Sequence, residues 1–206
     1  MRELVHYGTL HHFPQEPEII TPQIRLALDY YLDILRARYT QLSEELLQEH
    51  QHSPFHRIYL EGVYKIPELI PGDHAVTLPA RALMERGVRL EATEHRAVDL
   101  MRVVDQDILL LHAEKLKLLP KEYLLSVYPE IPEWREILQD FFQDLEYADI
   151  HTAREYWMGR NITATLAEGQ RALVFLGKAH NPTNVQRFLS SDTRYSYLDL
   201  FPDFRV

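Results

Sequence analysis

The sequence predicts an α/β fold, in which a mostly parallel sheet is flanked by helices and a helical hairpin insertion caps the functional site. Short apolar runs alternate with longer segments of helical periodicity, which is typical of parallel strands connected by helices. The first and last of these runs, residues 4–7 and 172–176, each lead into the pattern Gly-x-x-His. The length of 206 residues and the hydrophobic content of 46% fit one domain spanning residues 1–206.

The first strand and the first helix are separated by a loop. Residues 4–7 are apolar or β-branched apart from one histidine and predict the strand, which we expect to end at Gly8. Thr21 followed by Pro22 predicts a helix start, because proline is tolerated at the first helical position. Apolar residues then recur every three or four positions to about residue 49, which predicts one long amphipathic helix.

The next segment predicts two more strands with a short helix between them. Residues 57–62 and 88–92 are the second and third strands, and the segment 65–77 is rich in proline and glycine and predicts a loop. Residues 79–86 predict a short helix, and Gly87 stands where helices usually end on glycine.

The second half of the chain is mainly helical. Residues of about 97–147 predict the helical hairpin insertion, whose last helix covers 134–147. A further helix at 150–168 ends at a glycine, and the fourth strand follows it. The tail predicts a short helix and then, at 195–201, an edge strand or an aromatic packing segment.

Composition excludes several classes of protein. The absence of cysteine excludes disulfides, zinc–thiolate sites and thiol nucleophiles. The formal net charge of −9 argues against a nucleic-acid partner, because phosphate binding requires a basic face. The amino-terminal residues lack the apolar region of a secretory signal, and no run approaches the ~20 apolar residues of a membrane span. We therefore expect a cytoplasmic protein that acts on a small molecule, with the oligomeric state left open.

Ionisable side chains follow four of the predicted strands. They are His11 and His12 after the first strand, Glu61 at the end of the second, Glu94 after the third and His180 after the fourth. Because the carboxyl ends of parallel strands meet at one edge of a sheet, we expect these side chains to line one pocket. Gly8 and Gly177 would form its floor, since a residue without a side chain lets a ligand approach the backbone.

Arg154 is the candidate cation of this pocket. It lies one helical turn before Met158, so its side chain can point at the sheet edge while Met158 packs. A guanidinium there would bind a carboxylate, a phosphate or the oxyanion of acyl transfer. The alternative is a structural ion pair with Glu61 or Glu94.

In order along the chain, these motifs resemble the erythromycin-esterase and TraB/Tiki-type superfamily, which includes the ChaN-type haem-binding proteins. The matching segments are Gly8-Thr9-Leu10-His11-His12, Glu61-Gly62, Gly87 to Glu94, Arg154 to Asn161, and Gly177-Lys178-Ala179-His180-Asn181. His12 with Glu16 matches the esterase version of the first motif, whereas His11 matches the TraB/Tiki version. Glu94 stands where the family has aspartate, and Lys178 places a cation inside the last motif.

The leading hypothesis is a hydrolase that attacks an ester, lactone or amide bond with activated water. His11 or His12 would be the general base, Glu61 and Glu94 would orient it, and Arg154 with His180 would stabilise the oxyanion. The expected substrate contacts are Gly8, Glu16, Lys178 and Asn181.

Three alternatives stay open. The Tiki-like relatives imply a metal-dependent peptidase, and two histidines with two carboxylates suit Mn, Co or Zn, held by His11, Glu61 and His180. The ChaN-like relatives imply a protein that binds haem or another small molecule without turnover. A protein kept for protein interaction is the third alternative, favoured if the site residues do not converge.

Overall fold

The computed structural model describes residues 1–10, 22–61, 63, 75–98, 133–142, 150–178 and 180–202. Its strands are β1 (Arg2–Thr9), β2 (Arg57–Leu60), β3 (Arg89–Glu91), β4 (Arg171–Gly177) and β5 (Thr193–Asp199). They form one parallel sheet in the order β3-β2-β4-β1-β5. The predicted α/β fold is confirmed.

Helices flank this sheet. They are α1 (Pro22–His52), α2 (Leu78–Met84), which follows a 3-10 turn at Ala75–Thr77, α3 (Trp134–Phe142), α4 (Ile150–Thr165) and α5 (Pro182–Arg187). The long helix predicted from Pro22 is confirmed. Of the predicted insertion, residues 97–98 and 133–142 are described, and the remainder lies outside the described residues. Among the described helices, none combines the length and apolarity needed to cross a membrane.

The two faces of the sheet are covered by different helices. Strands buried on both faces are expected to be continuously apolar, as the run in β4 is. On one face, Val5, Tyr7 and their neighbours pack against α1 and α2. On the other, Leu4 and Val174 pack against Met158 of α4 and Val185 of α5. The functional side chains lie on this second face.

The two Gly-x-x-His strands are neighbours, as the shared-pocket hypothesis requires. β1 pairs with β4 from Glu3↔Arg171 to Thr9↔Gly177. The expectation that β1 ends at Gly8 is wrong, because parallel pairing with both β4 and β5 continues through Gly8. A Cβ at Gly8 would overlap the hydroxyl of Tyr197, so the absence of a side chain here makes room for the Tyr197 ring.

The tail forms β5, which settles the open choice between an edge strand and a packing segment. This strand pairs in parallel with β1, from Arg2↔Thr193 to Gly8↔Asp199.

Asn181 caps the preceding helix, α5, by accepting a hydrogen bond from the Thr183 N–H at 3.0 Å.

Candidate functional site

Glu61 lies at the centre of the candidate site, at the carboxyl edge of the sheet between β2 and β4. Its backbone N–H donates to the Phe175 carbonyl at 3.0 Å, so the residue continues the pairing of β2 with β4. Its side chain turns across the edge, where Oε2 accepts the N–H of Gly177 at 2.5 Å. One carboxylate oxygen is thus fixed by the backbone, and the other faces the neighbouring side chains.

Arg154 projects from α4 and joins two carboxylates. Its Nε donates to Glu94 Oε2 at 3.1 Å, and its Nη2 donates to Glu94 Oε1 at 2.5 Å and to Glu61 Oε1 at 2.7 Å. The guanidinium is buried; burial lowers its pKa, but the charges of Glu94 and Glu61 outweigh that effect and raise it. The ion pair that the sequence offered as an alternative role for Arg154 is present, and it includes both Glu61 and Glu94.

His180 follows β4 through a tight turn, in which its N–H donates to the Gly177 carbonyl at 3.0 Å. Its Nε2 lies 3.2 Å from Glu61 Oε1, and its Nδ1 lies 3.5 Å from Glu155 Oε1. Burial lowers the pKa of His180, but the negative charge of Glu61 and the contact with Glu155 outweigh burial and raise it to about 9, against the charge of Arg154. The imidazole is therefore a cation at neutral pH.

Glu94 is held at the site by the backbone and by α4. Its N–H donates to the Val63 carbonyl at 2.9 Å. The Asn161 side chain donates to the carbonyls of Thr93 and Glu94 at 3.2 and 3.4 Å, which ties the segment after β3 to α4. Arg154 and Asn161, both from the Arg-to-Asn motif, thus contact the same segment.

Helix α3 is anchored beside this segment through His95. The His95 Nδ1 accepts the Ala97 N–H at 3.1 Å, so Nε2 carries the hydrogen and donates to Asp140 at 2.9 Å. The His95 ring also lies against Trp157, with centroids 4.4 Å apart. The described part of the insertion therefore packs next to Glu94.

Glu155 is a buried site residue that sequence reasoning missed. Its Oε1 accepts the Asn181 N–H at 2.6 Å, and its Oε2 accepts the side-chain amide of Asn184 at 2.9 Å. The spacing contained a signal, because Glu155 lies three residues before Met158 and Arg154 lies four residues before it. Both side chains could therefore share the face that packs on the sheet.

His6 is the second residue missed, because it was interpreted only as part of a strand. It is 1% exposed, and its Nδ1 lies 2.5 Å from the Tyr195 hydroxyl. Burial and the charge of His180 lower its pKa to about 3, while Glu61 opposes this shift. Its Nε2 has no hydrogen-bond partner among the residues that the structure describes.

Four of the predicted catalytic residues come together: Glu61, Glu94, Arg154 and His180. Lys178 follows β4, but its side chain reaches the end of β5, where Nζ is 3.0 Å from Asp199 and donates to the Phe201 carbonyl at 2.7 Å. Asn181 is a helix cap that also contacts Glu155, and Gly8 is covered by Tyr197. His11, His12 and Glu16 lie outside the described residues. The substrate contacts expected from the sequence stay predictions.

A divalent metal does not fit the described cluster. Glu61, Glu94 and His180 each offer a ligand atom, and these atoms lie within 4.8 Å of one another. The guanidinium of Arg154 already neutralises both carboxylates, however, at 2.5 and 2.7 Å. The cluster is an acid–base network, and we derive no metal-dependent step from it.

Comparison of the chain with protein-family models, curated proteins and solved structures found no match. The likeness to the esterase-type superfamily therefore rests on the short motifs alone.

Proposed function

We propose that this protein is a hydrolase that cleaves an ester, lactone or amide bond with an activated water molecule. The observation that carries the proposal is the meeting of Glu61, Glu94, Arg154 and His180 in one buried network. These residues come from three strand ends and one helix, and structural stability alone does not require charged groups at all of them. Buried networks of this kind are common at active sites, where pKa values are shifted for catalysis.

We propose that the two cations of the network contribute to stabilising negative charge on a reacting oxygen, beyond their contacts with carboxylates. Arg154 uses Nε and Nη2 for the two glutamates, while its Nη1 donates no hydrogen bond within the described residues. His180 is protonated and lies on the other side of Glu61. Donors fixed before the reaction stabilise a developing oxyanion without rearranging, which makes them effective in a buried site.

His12 or His11 is the proposed general base. Both follow Leu10, whose backbone is fixed by Tyr39: the Tyr39 hydroxyl accepts the Leu10 N–H at 3.2 Å and donates to the Leu10 carbonyl at 3.0 Å. This clamp lies at the same edge of the sheet as Gly177, because the last residue of β1, Thr9, pairs with Gly177. A histidine that follows this position in the sequence is a suitable base for attack by water.

The test is turnover of model substrates by the purified full chain. We expect hydrolysis within a panel of p-nitrophenyl esters, γ- and δ-lactones and anilides. Of the variants His12→Asn and His11→Asn, the one that removes the base should lose about 10²- to 10⁴-fold in kcat. Arg154→Lys, which keeps the charge but loses the two-pronged contact, should also lose activity. His52→Asn, at an exposed histidine on α1, is the matched control. No turnover of any class, or full activity in both base variants, would overturn the proposal.

A second candidate function is binding of a small molecule without turnover. The observation that favours it is charge compensation: Arg154 and His180 are matched by Glu61, Glu94 and Glu155, so little positive charge is left for an oxyanion. Titration with ferric haem tests the haem-binding form of this candidate. A saturable Soret shift in a protein that hydrolyses nothing in the panel would favour binding, and an unchanged spectrum would remove haem as the ligand.

A further inference from the structure

We propose that the site binds its ligand through an uncharged carbonyl oxygen at the open edge of the Arg154 guanidinium, and that it excludes carboxylates and phosphates. This inference deepens the proposed function and rests on it for the identity of the bond that is cleaved. The charge preference itself can be measured without any turnover.

The guanidinium of Arg154 is closed by carboxylates on one edge and open on another. Its Nε and Nη2 donate to Glu94, and Nη2 also donates to Glu61, at distances of 2.5 to 3.1 Å. Nη1 donates no hydrogen bond within the described residues, although the residue as a whole is only 8% exposed. Nη1 is not one of the buried side-chain atoms that lack a partner, so it keeps accessible surface. A hydrogen-bond acceptor can therefore reach the N–H groups of Nη1.

The charge around this open edge is negative in balance. Arg154 contributes one positive charge, and the carboxylates of Glu61 and Glu94 that contact it contribute two negative charges. His180 and Glu155 lie next in the network, and adding this pair leaves the balance negative whether or not the imidazole is protonated. In a site with little exposed surface, a further negative charge costs free energy, because water screens it poorly.

Attack by water on a neutral carbonyl leaves this balance unchanged. The oxygen of water forms a bond to the carbonyl carbon, the π electrons move to the carbonyl oxygen, and the proton that water loses moves to the base. The oxyanion at Nη1 therefore forms together with a new cation inside the site. A ligand that brings a carboxylate or a phosphate to this edge adds negative charge without such compensation.

The same charge balance favours release of the product. When the tetrahedral intermediate collapses, the bond from the carbonyl carbon to the leaving group breaks, and the leaving oxygen or nitrogen takes the proton from the base. The acid that forms loses its own proton at neutral pH and becomes a carboxylate. A site that excludes carboxylates binds this product weakly, so the substrate is favoured over the product.

The first experiment compares two ligands of the same shape, butyramide and butyrate, on the unmodified full chain. Binding is followed through the Arg154 Nε resonance in protein labelled with ¹⁵N-arginine, at constant ionic strength and in the millimolar range typical of such small ligands. We expect butyramide to bind about tenfold more tightly than butyrate or inorganic phosphate. Butyrate or phosphate binding as tightly as butyramide, or no binding of butyramide in this range, would overturn the proposal.

The second experiment removes one of the negative charges beside Arg154 in Glu94→Gln. The Gln side chain keeps the shape of the carboxylate and can still accept a hydrogen bond from the guanidinium. We expect the preference for butyramide over butyrate to fall about tenfold, because the anion no longer meets an excess of negative charge. Glu168→Gln, which removes an exposed carboxylate paired with the amino terminus, is the matched control and should leave the preference unchanged.

The outcomes separate the two proposals. If the unmodified protein prefers butyramide but hydrolyses nothing in the substrate panel, the neutral-ligand site stands and the hydrolase proposal fails. If it hydrolyses a substrate but binds butyrate as tightly as butyramide, the hydrolase proposal stands and the charge preference is overturned. A preference that is the same in Glu94→Gln as in the unmodified protein contradicts its assignment to the network. If Glu94→Gln does not fold, the comparison of ligands on the unmodified protein decides.

Discussion

Glu61 and Gly177 meet across the carboxyl edge of the sheet, where Glu61 Oε2 accepts the Gly177 N–H at 2.5 Å. The contact joins the ends of β2 and β4 and leaves the other oxygen of Glu61 for Arg154 and His180. A single carboxylate therefore holds together the backbone of the sheet edge and the two cations of the site. Arg154 contacts Glu94 as well, and His180 contacts Glu155 as well, so Glu61 is the carboxylate that the two cations share.

Removal of the Glu61 charge should destabilise the fold. In Glu61→Gln, Arg154 and His180 stay buried and lose a shared counter-ion, and breaking a buried ion pair costs about 3–5 kcal/mol. The free energy of unfolding, measured by urea denaturation, should fall by about this amount.

Glu45→Gln is the matched control for the Glu61 prediction. Glu45 is an exposed residue of α1 whose carboxylate contacts Arg38 at 3.5 Å, and exposed pairs contribute at most about 1 kcal/mol. If both substitutions cost the same, Glu61 does not have the central role assigned to it.

Two buried histidines should give the stability opposite dependences on pH. The pKa of His6 falls from 6.5 to about 3 on folding, so its contribution is present above pH 6.5 and is lost as the pH falls towards 3. The pKa of His180 rises from 6.5 to about 9, so its contribution is present below pH 6.5 and is lost as the pH rises through 9. Each slope approaches about 1.4 kcal/mol per pH unit.

Urea denaturation between pH 4 and pH 9.5 tests these slopes when each histidine variant is compared with the unmodified protein. His6→Gln should flatten the fall of the unfolding free energy on the acid side, and His180→Gln should flatten it on the alkaline side. Curves that run parallel to that of the unmodified protein would contradict the assigned protonation states.

Gly8→Ala should destabilise the protein through a clash that a second substitution relieves. The added Cβ would overlap the hydroxyl of Tyr197, and displacing this exposed ring should cost at least about 1 kcal/mol, the low end of the range for overpacking. In a Tyr197→Ala background this cost should fall below about 1 kcal/mol, which a double-mutant cycle measures as a coupling energy.

Gly87→Ala supplies the comparison for the Gly8 prediction. A Cβ there meets nothing within 4 Å, but the φ of +88° strains any L side chain. Its cost should therefore be the same with and without Tyr197. A Gly8 cost that is also independent of Tyr197 would exclude the clash as its cause.

The sequence predicted those parts of the fold that depend on local patterns. The long helix from Pro22 and the turn at Gly87 follow from proline and glycine chemistry, and alternation of strands and helices predicted the parallel sheet. The expectation that β1 ends at Gly8 was wrong because the sequence does not distinguish a glycine at a strand end from a glycine that lies under a side chain of a neighbouring strand. The close approach of Tyr197 depends on β5, which is almost 190 residues away in sequence.

The candidate site was predicted in part, for a related reason. Glu61, Glu94 and His180 follow strand ends, and topology brings strand ends together without knowledge of the side chains. Glu155 and His6 lie within a helix and a strand, where an ionisable residue is recognised as functional only once its buried neighbours are known. Tyr195 and Asn181 are those neighbours, and each is far from its partner in sequence.

The position of β4 in the sheet has a consequence for how the newly made chain folds. β4 lies between β2 and β1, and β1 has β4 and β5 as its neighbours. During synthesis, β1 therefore emerges before the other described strands but has no neighbouring strand until residues 171–177 have been made. Bringing together two strands that are so far apart in the sequence costs conformational entropy and is slow. A nascent chain released before β4 would expose the apolar edge of β1 to other chains, which makes this interval the period of greatest risk of aggregation.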